Sequence, residues 1–243
     1  MLRYAITDRL RFATKPGQQD EPARQLALIA QAARLAADGI DFLQLREKDL
    51  SAAALASLAR KLLATLRADP THPAPRLLIN SRADIAIATR ADGVHLTSSP
   101  NEFTPAEVRA LYAAASLPEP VISLSCHTLA EVANAASFAP DERPTLILFG
   151  PVFEKVVAKK ITAKNVVAIE DVSKNEIAKD RVLEKSAANR KISAGAGLDL
   201  LRAACAAAAP IPVLALGGIN RSNTDACLDA GAAGIAAIRL FLE

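Results

Sequence analysis

The chain has no tryptophan, two tyrosines and one methionine among its 243 residues, and aromatics make up only 4% of it. A protein that reads nucleic acid by stacking bases needs aromatic platforms, so this composition argues against that class. Cysteine is equally scarce. Cys126, Cys205 and Cys227 are odd in number and fall in no metal-binding spacing, which predicts free thiols rather than a disulfide scaffold or a zinc site. No apolar run is long enough to span a bilayer, and the first residues lack a signal-peptide pattern. A cytoplasmic protein without membrane or nucleic-acid partners is therefore expected. A strong excess of either charge is also missing, 29 basic against 26 acidic residues leaving a net of +3 that is unevenly spread. The stretch 154–191 holds ten basic and six acidic residues, whereas the rest holds 19 and 20. The basic balance belongs to one segment, not to a general anionic-polymer surface.

What the chain does have is aliphatic content. Hydrophobic residues reach 51%, mostly Ala, Leu, Ile and Val, a composition suited to helix faces packed on buried strands. Short apolar runs alternate with helical periodicity along the sequence. Strands are predicted at Tyr4–Thr7, from Phe42 through Lys48, and at Arg76–Asn80, Gly93–Leu96, Pro120–Ser125, Thr145–Phe149, Pro212–Leu216 and Gly234–Ile238. Between them lie helical patterns from Pro22 to Ala37, from Ser51, from Ser81 to Thr89, from Thr104, from Thr128, from Gly197 to Ala208 and from Ser222. Leu55, Leu58, Leu62, Leu63 and Leu66 make one stripe at helical spacing. Thr104 and Glu107 form a capping box, Pro105 sits at the first helical position, and Phe103 is placed to staple onto Val108. Eight strands alternating with helices predict a single-domain α/β (β/α)8 TIM barrel over 1–243. A doubly wound open sheet would need another explanation for ligand residues on so many strands.

One connection is too long for such a barrel, in which loops usually run about 2–6 residues. It follows the sixth strand, with 154–194 as an inserted segment. Ser173 and Glu176 form a second capping box there, predicting a helix over 173–187, and Asn165–Ile169 reads as a short extended run. An active-site lid and a surface or homo-oligomer contact are both open roles for it.

The chemistry concentrates on Phe42-Leu43-Gln44-Leu45-Arg46-Glu47-Lys48. Alternation on a strand would put Gln44, Arg46 and Lys48 on one face, with Leu43 and Leu45 opposite. A carboxamide and two cations on one face are costly to bury unless an anion completes them, as at the C-terminal mouth of a parallel barrel. Ser123, Ser125 and His127 share a parity predicted to face the barrel. His127 is the best acid–base candidate of three histidines, since an imidazole titrates near neutral pH. His95 reads as a packing or hydrogen-bonding residue, and His72, among prolines, as exposed. Gly217-Gly218 after the seventh strand suits a phosphate, because glycine lets backbone N–H groups come close. Arg239, after the eighth strand, is either a further phosphate contact or a solvated side chain.

Taken in order, Leu43-Gln44-Leu45-Arg46-Glu47-Lys48, Leu78-Ile79-Asn80, Ala91-Asp92-Gly93-Val94-His95-Leu96, Ser125-Cys126-His127-Thr128, Phe149-Gly150-Pro151-Val152-Phe153 and Ala215-Leu216-Gly217-Gly218-Ile219 resemble the thiamine phosphate synthase/TenI family. The resemblance implies a barrel that handles a thiazole phosphate. It either couples that molecule to hydroxymethylpyrimidine diphosphate or isomerises it. Gln44, Arg46, Lys48, Asn80 and Ser125 match positions that surround the diphosphate in the synthases. Two Mg²⁺-binding aspartates of the synthases fall here on Ser81 and Pro100, and a pyrophosphate-binding Pro-Thr-x-Thr-Lys-like run is replaced by Glu154-Lys155-Val156-Val157-Ala158. Mg²⁺ prefers hard carboxylate oxygens, so these departures point away from the synthase. The reading reached from sequence is a TenI-like thiazole tautomerase without a cofactor, with His127 as proton relay. Thiamine phosphate synthase with Mg²⁺ is the alternative, and a catalytically silent binder of thiazole phosphate the second.

Overall fold

The computed structural model describes residues 1–12, 20–69, 73–99, 101–153, 155–158, 190–193 and 195–242. Strands β1 (Leu2–Ile6), β2 (Phe42–Leu45), β3 (Arg76–Asn80), β4 (Gly93–Leu96), β5 (Val121–Cys126) and β6 (Leu146–Phe149) come first. They are separated by helices α1 (Glu21–Ala37), α2 (Ala52–Leu66), α3 (Ala83–Thr89), α4 (Pro105–Ala114) and α5 (Leu129–Ser137). An antiparallel ribbon follows, β7 (Lys155–Ala158) against β8 (Arg190–Ser193). The alternation then resumes with α6 (Gly197–Ala208), β9 (Val213–Leu216), α7 (Thr224–Asp229) and β10 (Gly234–Ala237). All strands but β7 and β8 pair in parallel, β6 directly with β9 and β10 with β1, so the sheet closes on itself. The fold is the expected (β/α)8 barrel.

Strand alternation divides the apolar side chains into two cores. Leu43, Leu45, Leu77, Ile79, Val94, Ile122 and Ile147 point outward and pack beneath the helices, where the α2 stripe of Leu55, Leu58, Leu62, Leu63 and Leu66 is buried as predicted. Tyr4, Ile6, Leu78, Leu146, Leu148, Leu214 and Ala236 fill the barrel itself. Inside the barrel the apolar filling is uneven. The β6, β9 and β10 wall is aliphatic, while Gln44, His95, Ser123 and Ser125 bring polar atoms into the β2–β5 side.

The helix starts follow their local signals. Ser51 Oγ accepts the Ala54 N–H at 3.3 Å, and Asp20 caps α1 by accepting the Ala23 N–H at 3.0 Å. The Thr104/Glu107 box forms, with Val108 fully buried and Phe103 46% exposed. A second box, Thr128/Glu131, opens α5. The β7–β8 ribbon was not anticipated, because two four-residue strands split by a long stretch of sequence carry no hairpin signal. The helix expected over 173–187 and the extended run at Asn165–Ile169 lie outside the described residues.

Candidate active site

The mouth is assembled at the C-terminal ends of the strands, beginning with β2. That strand ends at Leu45, one residue before Arg46, so Gln44, Arg46 and Lys48 do not share a strand face as the alternation suggested. The chain turns instead. The Arg46 N–H donates to Thr7 Oγ1 at 2.9 Å, and the Thr7 N–H donates to the Gln44 carbonyl at 3.0 Å. Barrel closure by β1 thus overrides local alternation and releases Arg46 and Lys48 into the β2–α2 loop. Gln44 alone remains in the wall, buried, its Nε2 donating to Asn80 Oδ1 at 2.8 Å. Asn80 in turn donates from Nδ2 to Ser81 Oγ at 3.2 Å. The other amide atom of Gln44, Oε1, is buried without a partner. Such an acceptor calls for a donor from a bound molecule.

Arg46 is half-buried and Lys48 exposed, and neither makes an ion pair among the described residues. Their neighbourhood is otherwise fully paired by a residue that sequence reasoning missed. Arg9, in a 3-10 turn after β1, is 2% exposed. It donates to Glu47 at 2.9 Å, to both oxygens of Asp49 at 2.7 Å and to Glu21 at 2.7 Å. Asp49 raises the Arg9 pKa further, and Arg9 holds Asp49 and Glu21 below the usual carboxylate range. Burial pushes the Glu47 carboxyl up, against the pull of its hydrogen bonds from Thr7 and Arg9. The hub ties the β1–α1 and β2–α2 connections together and leaves Arg46 and Lys48 as the cations still without a counter-charge.

On the facing side, four polar side chains form an unbroken buried chain. Tyr4 OH lies 2.9 Å from Ser123 Oγ, Ser123 Oγ 2.8 Å from His95 Nδ1, and His95 Nε2 3.0 Å from Ser125 Oγ. His95 is therefore the centre of a network and not merely packing. Burial, aided by the positive charges of Arg46 and Lys48, pushes its imidazole down to about 3, so it is neutral at physiological pH.

β5 ends at Cys126, and His127 stands just beyond it, exposed rather than inside the barrel wall. Its backbone N–H donates to Glu131 Oε2, the carboxylate of the α5 capping box, and its Nδ1 lies 2.5 Å from the Gly150 carbonyl. A carbonyl only accepts, so Nδ1 carries a proton, and in the neutral ring Nε2 holds the lone pair. Neighbouring Cys126 is buried and its thiol pushed up to about 12, which removes it as a nucleophile near neutral pH.

Gly217 and Gly218 follow β9 with φ of +93° and +70°. A Cβ on Gly218 would lie 2.6 Å from that of Phe153, so backbone conformation and packing both require glycine there. Neither glycine N–H has an acceptor among the described residues, and Gly218 is exposed. The helix beyond them is shorter and later than expected, starting at Thr224 and running six residues. Arg239 is exposed in a 3-10 turn.

The described residues offer Mg²⁺ no carboxylate at the matched position Ser81. Ser81 offers a hydroxyl that already accepts from Asn80, Pro100 lies outside the described residues, and no three His, Cys, Asp or Glu side chains are grouped as a metal site among the described residues. His72 also lies outside them. No helix described is long and apolar enough to cross a membrane.

A closed α/β barrel carries, at the C-terminal ends of its strands, two cations without a counter-charge, a carboxamide with one unpartnered oxygen and an exposed imidazole, an arrangement able to receive a small anion. The sequence model for thiamine monophosphate synthase matches residues 12–177 and 186–241, and the chain belongs to that family. It is 35% identical to the putative thiamine-phosphate synthase of Geobacter sulfurreducens, over 98% of this chain and 85% of that one. It is 32% identical to the thiamine-phosphate synthase of Salinibacter ruber, over 91% of this chain and 75% of that one. Among solved structures, a thiamine phosphate pyrophosphorylase from Pyrococcus furiosus superposes with a TM-score of 0.62 at 22% identity, covering 98% of this chain and 85% of that one. The expectation of a thiamine-pathway enzyme stands on these relationships.

Proposed function

We propose that this chain is a TenI-like thiazole phosphate tautomerase in which His127 relays the proton. The observation that carries the reading is the tether from His127 Nδ1 to the Gly150 carbonyl, which leaves Nε2 as a directed base at the mouth. Nε2 takes a proton from one ring atom of the substrate and returns it to another as the ring becomes aromatic. No atom is gained or lost. Arg46, Lys48, Ser125 and the Gly217 and Gly218 amides hold the phosphate, with Arg239 at the rim. No metal takes part in this reading.

The orphaned Gln44 Oε1, held beside Asn80, favours a second reading. A hydroxymethylpyrimidine diphosphate would bring both a donor for that oxygen and a charge for Arg46 and Lys48. As a thiamine phosphate synthase the chain would ionise this molecule and let the thiazole nitrogen attack. The names of its relatives point the same way, while the lack of a carboxylate at Ser81 points against it.

The deciding experiment assays both reactions on one preparation, with and without Mg²⁺. Tautomerisation in D₂O without added metal is expected. His127→Ala and His127→Asn should each lower that rate by about 10²–10⁴-fold with thiazole phosphate binding largely kept, because neither can shuttle a proton. Near-native turnover in folded His127→Ala would sink the relay. Robust thiamine phosphate formation abolished by EDTA would install the synthase reading instead.

A further inference from the structure

The chain from Tyr4 to Ser125 contains three hydroxyl protons and one imidazole N–H, since His95 is neutral. Four donors serve three hydrogen bonds, so one donor is left over, and the direction of the whole chain depends on where. Left at Tyr4 or at Ser123, the surplus proton would sit on a fully buried hydroxyl with no other acceptor among the described residues. A buried unsatisfied donor carries its full desolvation cost. Left at Ser125, it sits on the most exposed member of the chain, 9% against 4% for His95 and none for Tyr4 and Ser123, near the C-terminal end of β5. All three internal bonds are then satisfied. Tyr4 donates to Ser123, Ser123 donates to His95 Nδ1, and His95 Nε2–H donates to Ser125.

We propose that Tyr4, Ser123 and His95 form a one-way hydrogen-bond chain that fixes Ser125 as a donor at the barrel mouth, so that the position beside it selects an anionic oxygen of the ligand. This rests on the reading of the mouth as an anion site. Tyr4, Ser123 and His95 are positioning residues: they touch the ligand only through Ser125. The neighbouring cations reinforce the arrangement, since Arg46 and Lys48 disfavour a second proton on His95 while attracting the oxygen that Ser125 would meet. The chain is also cooperative. When Ser125 gives its proton to an anion, its oxygen becomes a better acceptor for the His95 N–H.

The test is ¹⁵N NMR of histidine-labelled protein, with His95 assigned by comparison with the His72→Asn and His127→Asn spectra. The native chain should show His95 protonated at Nε2, with Nδ1 as a bare acceptor. Titration with inorganic pyrophosphate, followed in parallel by calorimetry, should move the Nε2–H proton resonance downfield. In Ser125→Ala the response should vanish. A native His95 protonated at Nδ1 overturns the proposal, and needs no variant to fold. An Nε2–H resonance indifferent to saturating pyrophosphate overturns the link to the ligand. Protein that binds no pyrophosphate yet keeps the Nε2–H tautomer refutes the anion reading of the mouth while upholding the direction of the chain.

Discussion

At the ends of β1 and β2 the mouth is ionic. Arg9 is buried among Glu21, Glu47 and Asp49, and two further cations stand beside them without partners. Across the barrel the buried polar groups are neutral: two serine hydroxyls and an unprotonated imidazole on β4 and β5, met by the phenol of Tyr4 from β1. The difference follows from burial. A charge deep in the structure must be paired, and Arg9 is; the unpaired Arg46 and Lys48 keep access to solvent. The neutral side holds each internal contact with a proton instead of a counter-charge. One side of the mouth is thus built to attract charge and the other to control which way protons point.

The largest effect separating the two sides should come from Arg9→Met. Removing one member of a buried ion pair typically costs about 3–5 kcal/mol, because the surviving charge is stranded. Urea unfolding at neutral pH measures it. Burial already raises the folded-state pKa of Glu47, and losing Arg9 raises it further, so the variant's penalty is present above that pKa and fades as acid neutralises the carboxyl. A loss below about 1 kcal/mol would show that the ionic side does not depend on its hub.

The neutral side makes its own prediction in acid. The folded-state pKa of His95 is pushed down to about 3, below the ~6.5 of a free imidazole. As pH falls, the unfolded chain takes up the proton first. Stability from this group is full above about 6.5 and is lost toward about 3, on the order of a few kcal/mol. His95→Gln should flatten that limb of the pH–stability curve; an unchanged slope would place the acid sensitivity elsewhere. Smaller still is the expected effect of Lys48→Ala. A charge-assisted hydrogen bond to the ligand is worth about 1.5–3 kcal/mol, so pyrophosphate affinity should fall by about 10–100-fold and depend less on salt. The His95 tautomer should stay as it is. Equal affinity at low salt would remove Lys48 from the binding surface.

The barrel was legible because its evidence is distributed. Eight apolar runs and the helical stripes between them all imply one topology, and α6 begins and ends where its pattern does, at Gly197 and Ala208. The site was legible in composition but not in placement. Gln44, Arg46 and Lys48 were read as one face, and His127 as barrel-facing, because alternation has no built-in stop. Strand ends are set by the neighbouring strand, as the Thr7 contacts at Gln44 and Arg46 show. Arg9 was invisible for a different reason: it lies 38 residues from Glu47 and no local period joins them. The shared parity of Ser123 and Ser125 was readable, yet nothing in sequence tells which hydroxyl meets an imidazole from another strand. The Thr128/Glu131 box was readable in sequence and overlooked.

The place where the chain leaves the barrel and the place where it returns are stitched together. The Ala196 N–H donates to the Pro151 carbonyl at 2.7 Å, the Gly197 N–H donates to the Val152 carbonyl at 2.9 Å, and β7 pairs with β8 just outside. Gly195 passes so near Phe153 and Val152 that any Cβ would collide with their backbone. Once two chain ends are held side by side, each doubling of the sequence joining them adds only about 0.6 kcal/mol of closure entropy. The β7–β8 stem is thus a clasp, holding Ala158 and Arg190 side by side whatever sequence joins them.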